Sequence, residues 1–246
     1  MRSMTPEDAA SSRNRRAPNI DDLSSLPSGV HPGRTRLAGD HVVLAPLNPL
    51  EQGALLQEAV QDSLTVETSW RFMPLVPSGD KAGTMAWLRQ CAGSAEPSFY
   101  ALLTPEGDEA GGMVSYLNIV PANGCVELGH IWFRPTWRGS IRTTEAIYLM
   151  MVHAFDRLGY RRVEWKCDAM NAPSRSAALR FGFRFEGVFL NHIIIRGRNR
   201  DTAWYSITAE EWPAVRQAFQ SWLAPENFDP DGKQKRSLSE LTRGLW

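Results

Sequence analysis

Two short segments of this chain gather residue types able to hold a charged ligand and to move a proton. The first is Pro135-Thr136-Trp137-Arg138-Gly139-Ser140-Ile141-Arg142-Thr143-Thr144-Glu145-Ala146, between an apolar-rich run over 126–133 and a stretch of helical spacing. Where a strand gives way to a helix, the first backbone N–H groups lack intrahelical acceptors, and the positive helix end reinforces them. Arg138, Gly139, Ser140, Ile141, Arg142, Thr143 and Thr144 therefore form a candidate pyrophosphate cradle. A plain helix cap at Thr143 or Thr144 beside solvated arginines would read the same way. The second segment, Asn171-Ala172-Pro173-Ser174, follows an apolar run over 163–167 and opens a helix that ends at Gly182-Phe183. Asn171 suits a helix cap, with Ser174 in the first turn. Three proton acceptors accompany these turns. Glu127 and His130 lie on the first strand and Asp168 closes the second. Each also has a bland role: a salt-bridged strand carboxylate, a sheet-edge histidine and a loop cap.

These turns need strands and helices to place them. Alternation makes 41–47 the first strand, and leucines at helical spacing make 49–60 a helix with proline in its first turn. Ser78 or Asp80 opens a second helix through Cys91. Residues 98–104 and 112–120 flank Pro105-Glu106-Gly107-Asp108, a hairpin signature. Asn123-Gly124 marks another tight turn before the strand at 126–133. Apolar residues at 147, 150, 151, 154, 155 and 158 carry the helix after Thr143 to Gly159. Strands at 189–196 and 202–207 flank the turn Gly197-Arg198-Asn199-Arg200-Asp201, and 210–223 forms the last helix. Residues 1–36 read as a flexible arm rich in Ser, Pro and Arg, 37–223 as one mixed α/β domain, and 224–246 as a mostly irregular tail.

Composition bounds the function. Of 246 residues, 43% are hydrophobic and nine are Trp, enough for a packed core. Lys+Arg and Asp+Glu balance at 27 each, so nothing global points to a nucleic-acid or membrane partner. The distribution is uneven: residues 134–200 hold 13 Lys/Arg against 5 Asp/Glu, leaving the remainder acidic. That local positive charge suits an anionic ligand beside the two helix starts. Three scattered cysteines fit neither a disulfide framework nor a zinc site, and cytoplasm is the expected compartment.

The order Glu127-Leu128-Gly129-His130, Pro135, Arg138-Gly139, Thr144-Glu145-Ala146, Asn171-x-x-Ser174 and Gly182-Phe183 resembles the GNAT acyltransferases. Within them it is most similar to the RimJ/RimL branch of ribosomal-protein N-terminal acetyltransferases. The resemblance spans roughly residues 36–212. It implies a mixed sheet of about seven strands flanked by helices, splayed between the strands of Glu127 and Val163. Acetyl-CoA would lie in that gap, with no metal, its pyrophosphate on the Arg138 turn and Phe133 at the strand end. It also implies that Asn171 holds backbone or pantetheine groups and that Ser174 stands near the CoA sulfur. The family's loop prefers small residues where this chain has Ile141 and Thr143, and many members carry a tyrosine acid where this chain has Ala178.

On this reading Glu127 is the leading base, acting through a water, with His130 and Asp168 as alternatives. Ser174 or water protonates the leaving thiolate, whose ordinary pKa of about 8.5 makes it a tolerable leaving group. Trp70, Arg71 and Phe72 would cover the acceptor, with Trp132 and Trp137 as further wall candidates. The acceptor is a primary amine, on a protein N-terminus or a small molecule, and the protein a monomer or homodimer. Two rivals stay open: a CoA-binding sensor with little catalysis, and an adaptor whose residues 196–200 dock on RNA.

Overall fold

The computed structural model describes residues 29–64, 70–78 and 80–245. Strand β6 (Arg162–Asp168) shows how sequence sets the layers. Val163, Trp165 and Cys167 are buried on one face, while Arg162, Glu164, Lys166 and Asp168 alternate onto the other. The apolar face belongs to a large core, and on the charged face Lys166 meets Glu127 of the neighbouring strand.

Seven more strands flank it: β1 (Leu37–Ala38), β2 (Val43–Pro46), β3 (Ser98–Leu103), β4 (Ala110–Val120), β5 (Cys125–Phe133), β7 (Arg184–Ile195) and β8 (Arg198–Thr208). The order across the sheet is β1-β2-β3-β4-β5-β6-β8-β7, so the eight exceed the expected seven by the two-residue β1. Only β5 and β6 run parallel; every other neighbouring pair is antiparallel. Their register runs from Cys125↔Arg162 to Leu128↔Trp165 and stops, although β5 continues to Phe133 and β6 to Asp168. Beyond Leu128 and Trp165 the two strands part, opening the sheet at its middle.

Helices α1 (Pro49–Leu64) and α2 (Lys81–Ala92) cover one face, joined by Leu56, Val60 and Leu88 to Leu47, Ala101, Leu103, Met113 and Trp132. Helices α3 (Ile141–Val152), α4 (Ala172–Arg180) and α5 (Trp212–Leu223) bury Ile147, Met150, Ala178 and Phe219 with Val163 and Trp165 on the opposite side. A π-helical turn, His153–Arg157, prolongs α3. No helix among the described residues is long and apolar enough to cross a membrane.

Three expectations need correction. Helix α3 starts at Ile141 with Ser140 as its cap, not at Thr143 or Thr144, because partly buried Ile141 packs on the core and pulls the first turn into the helix. The β7–β8 turn is only Arg196-Gly197, with φ of 48° and 74°, so Arg198 and Arg200 stand on a strand rather than in a loop. Residues 224–245, mostly irregular as expected, are not a floppy end but pack on the domain. They include a 3-10 turn (Pro225–Asn227) and helix α6 (Leu238–Thr242), which is held by a Ser237/Glu240 capping box. Leu238 is buried in the core, and the Thr242 hydroxyl donates to the Arg180 carbonyl. The first 28 residues of the expected arm lie outside the described residues. At the arm's other end, Gly29 and Val30 N–H groups bond to the Pro121 and Leu158 carbonyls.

Candidate active site

The two turns sit on opposite flanks of the parting. On the β5 side, Ser140 Oγ accepts from Thr143 N at 3.4 Å, and the Thr144 N–H bonds to the Ser140 carbonyl. The Thr143 and Thr144 hydroxyls are buried and donate to the carbonyls of Trp137 and Ser140, so these residues can offer a ligand only their backbone. Ile141 and Thr143 both turn inward, so the absence of small residues there leaves the outer surface of the turn open. Gly139 sits at φ 71°, a conformation costly for other residues, and a Cβ there would meet no atom within 4 Å. Arg138 is exposed and its Nε–H donates to the Phe133 carbonyl, whereas Arg142 lies over the Trp137 ring and 3.6 Å from Glu109. Trp137 Nε1–H and Arg134 converge on the same Glu109, pinning the turn to the β3–β4 hairpin. An open left-handed glycine, an unobstructed helix start and an exposed arginine fit a phosphate group. Arg180 adds a cation that sequence reading missed: its guanidinium donates to Thr144 Oγ1 at 3.0 Å while packing on Trp222.

On the β6 side, Asn171 caps α4, its Oδ1 accepting from Ser174 N at 3.2 Å. Ser174 Oγ accepts from Trp165 Nε1 at 3.0 Å, which leaves the hydroxyl hydrogen able to donate. Asp168 accepts from Met170 N through Oδ1 and so takes the loop-capping role. Ala178 is fully buried in the core and offers no acid at that position.

Glu127 and His130 occupy the other face of the sheet, beyond α1 and α2. Glu127 is 5% exposed, and both of its close contacts fall on Oε2: Lys166 Nζ at 2.9 Å and Asn118 Nδ2 at 2.6 Å. Oε1 lies toward Gly129, where a Cβ would come within 3.6 Å of it. Burial pushes the carboxyl above its ordinary 4.5, against the pull of the Lys166 ammonium and the Asn118 amide. Lys166 also pairs with Glu164 at 2.7 Å and lies 4.1 Å over the Trp204 ring. Arg162 then links Glu164 to Glu186. The chain Glu127–Lys166–Glu164–Arg162–Glu186 links three carboxylates through two cations.

His130 is the extra residue of a β-bulge in β5, at φ 47°, between the pairs Met113↔Trp132 and Ser115↔Gly129. The bulge re-aims the imidazole next to Phe99, with Nδ1 3.2 Å from Ser115 Oγ. Ser115 donates its one hydroxyl hydrogen to the Gly129 carbonyl. Burial, reinforced by the Arg200 charge, holds this imidazole below its ordinary 6.5.

The aromatic loop divides. Trp70 is 6% exposed, stacked on Trp132 at 4.9 Å and edge-on to Trp87 at 5.8 Å, so it is core and not an acceptor wall. Trp132 and Trp137 are likewise buried; Trp137 packs so closely on Gly111 that a Cβ there would meet its ring at 1.9 Å. Arg71 and Phe72 line a cavity of about 120 Å³, together with Asp168 and the tip of the β7–β8 hairpin. Asn118, Lys166, Trp204 and Arg200 are site neighbours that sequence reading did not identify.

Residues 41–184 match the model of the acetyltransferase (GNAT) domain. A solved GCN5-related N-acetyltransferase from Brucella melitensis is 41% identical, superposes with a TM-score of 0.86, and covers 90% of this chain and 100% of its own. The microcin C7 self-immunity acetyltransferase MccE, solved with acetyl-CoA and AMP, is 23% identical with a TM-score of 0.57 over 76% of this chain and 99% of its own, a likeness of fold. Among curated proteins, an uncharacterized N-acetyltransferase, p20 of Bacillus licheniformis, is 26% identical over 113 residues. The match takes in 46% of this chain and 63% of that relative's length.

Proposed function

This chain belongs to the GNAT acetyltransferase family, and from that premise we propose that it is an acetyl-CoA-dependent N-acetyltransferase acting on a primary amine by direct transfer. The observation that carries the reading is the parting of β5 and β6 beyond Leu128 and Trp165, with a phosphate-fitting turn on one flank and two proton acceptors on the opposite face.

Acetyl-CoA supplies the activated acyl group. The Gly139–Arg142 backbone, Arg138 and Arg180 hold the anionic end, and Asn171 fixes the start of α4. Glu127 removes the amine proton through a water. Lys166 and Asn118 orient its carboxylate by holding Oε2. His130 is the second candidate for the same proton. Ser174, whose hydroxyl hydrogen is not needed by Trp165, stands at the other flank to protonate the leaving thiolate. The RimJ/RimL character of the motif order extends the acceptor class to protein N-termini. A cytoplasmic location belongs to the same reading.

The cofactor part is tested by calorimetry with acetyl-CoA. Arg138→Ala should weaken binding about tenfold through loss of a charge-assisted phosphate contact. An unaltered Kd would remove Arg138 from the site. A CoA-binding protein without turnover is the second reading, favoured by the buried Ala178 in the place of an acid; it predicts binding with no amine-dependent thiol release.

A further inference from the structure

Four arginines meet around a small cavity at the hairpin end of the sheet. Arg71 comes from the loop before α2, Arg196 from the hairpin turn, and Arg198 and Arg200 from β8; with Phe72 and Asp168 they border the cavity of about 120 Å³. Arg71 lies over Phe72, and its carbonyl accepts from Arg196, which fastens the loop to the hairpin. Among the described residues none of the four forms an ion pair. Asp168, the one carboxylate of the lining, already caps its own loop.

Arg200 is the least satisfied of the four. Its Nε–H is buried from water and meets no hydrogen-bond acceptor, a costly state for a cationic donor. It shares a face of β8 with Thr202, Trp204 and Ser206, so it lies on the same side of the sheet as Lys166 and Glu127. It is also close enough to His130 to oppose a charge on that imidazole. The strand fixes Arg198 and Arg200 in place, because the hairpin closes in two residues. A solvated arginine face would leave its heads in water rather than bury an unpaired N–H.

One side of the sheet therefore carries two kinds of group: the linked carboxylates from Glu127 to Glu186, which can attract an ammonium, and the guanidiniums around the cavity, which favour an anion. We propose that the acceptor is a doubly functional small molecule: a primary amine that also bears a carboxylate or phosphate group, the anion held by Arg200 with Arg198 and Arg71, and the amine directed inward to Glu127 and His130. This rests on the acetyl-transfer reading and deepens it, since it names the class of amine. The cavity admits one compact anionic group, not a folded polypeptide surface.

The test compares matched amines with the full-length protein and acetyl-CoA: O-phosphoethanolamine against ethanolamine, and γ-aminobutyrate against butylamine. The expected result is a kcat/KM at least about tenfold higher for one of the anionic members than for its neutral match, with that ratio collapsing in Arg200→Gln. The pair that shows it tells phosphate from carboxylate. Equal rates for anionic and neutral members, or a ratio untouched by Arg200→Gln, would overturn the proposal. A second measurement separates it from failure of the enzymatic reading. Inorganic phosphate and acetate are titrated by calorimetry into wild type, Arg200→Gln and Arg138→Ala. Anion binding lost in Arg200→Gln and kept in Arg138→Ala supports the cavity as an anion site even if no amine is turned over. Binding unaffected by Arg200→Gln refutes it.

Discussion

Glu127 and His130 make different demands on pH, which allows the base to be identified. Each accepts a proton only when unprotonated, so kcat/KM falls on acidification whichever of them acts. Burial lifts the Glu127 inflection above 4.5, and burial with Arg200 depresses the His130 inflection below 6.5. With Glu127 as base, Glu127→Gln lowers kcat roughly 10²-fold and flattens the acid limb, while His130→Gln keeps that limb. The reverse pattern, read from kcat/KM profiles, would transfer the role to His130. Glu127 was legible as a carboxylate on a strand beside the splay. Its environment was not, because Asn118 and Lys166 arrive from neighbouring strands and only pairing across the sheet reveals them. His130 was legible as a residue type, but the bulge that aims it has no local signature; it follows from the register of β4 against β5.

At the scale of elements, Glu145 shows a motif residue acting structurally. It lies in α3, 5% exposed, and its two carboxylate oxygens accept from the Asp40 and His41 N–H groups at 3.0 and 2.7 Å. It thereby ties the β1–β2 turn to the helix whose start forms the phosphate-fitting turn. Gly39 is required beside it, since a Cβ there would come within 2.5 Å of the carboxyl carbon. Glu145→Ala removes two charge-assisted hydrogen bonds to part-buried N–H groups and should cost roughly 3 kcal/mol. For a domain of this size that lowers Tm by about 6–12 °C in calorimetry. Unchanged melting would mean that the turn holds without this tether. The helix start illustrates what sequence could not settle: Ser140, Thr143 and Thr144 are all plausible caps, and the inward packing of Ile141 decided among them. The hairpin arginines were visible, but their strand placement was hidden because β7 is exposed on both faces near its tip and shows no alternation there. The Ser237-x-x-Glu240 box, by contrast, was a readable signal for α6.

The whole molecule was legible where periodicity and punctuation agreed. The strand–turn–helix order from β5 to α4 was apparent in apolar runs and turn residues, and the mixed α/β GNAT fold follows from it. The eighth strand was not, because two residues carry no period. Nor was the packing of residues 224–245, whose polar surface masks a few anchoring contacts such as Leu238. The sheet opens in its middle because two parallel strands stop pairing while both continue. The account's central claim is that this opening brings acetyl-CoA and an amine together for reaction. The most direct measurement is the release of CoA thiol from acetyl-CoA by purified protein, with and without primary amines. We predict release that requires an amine and saturates with its concentration. Release no faster with any small amine or N-terminal peptide than without one would contradict the claim.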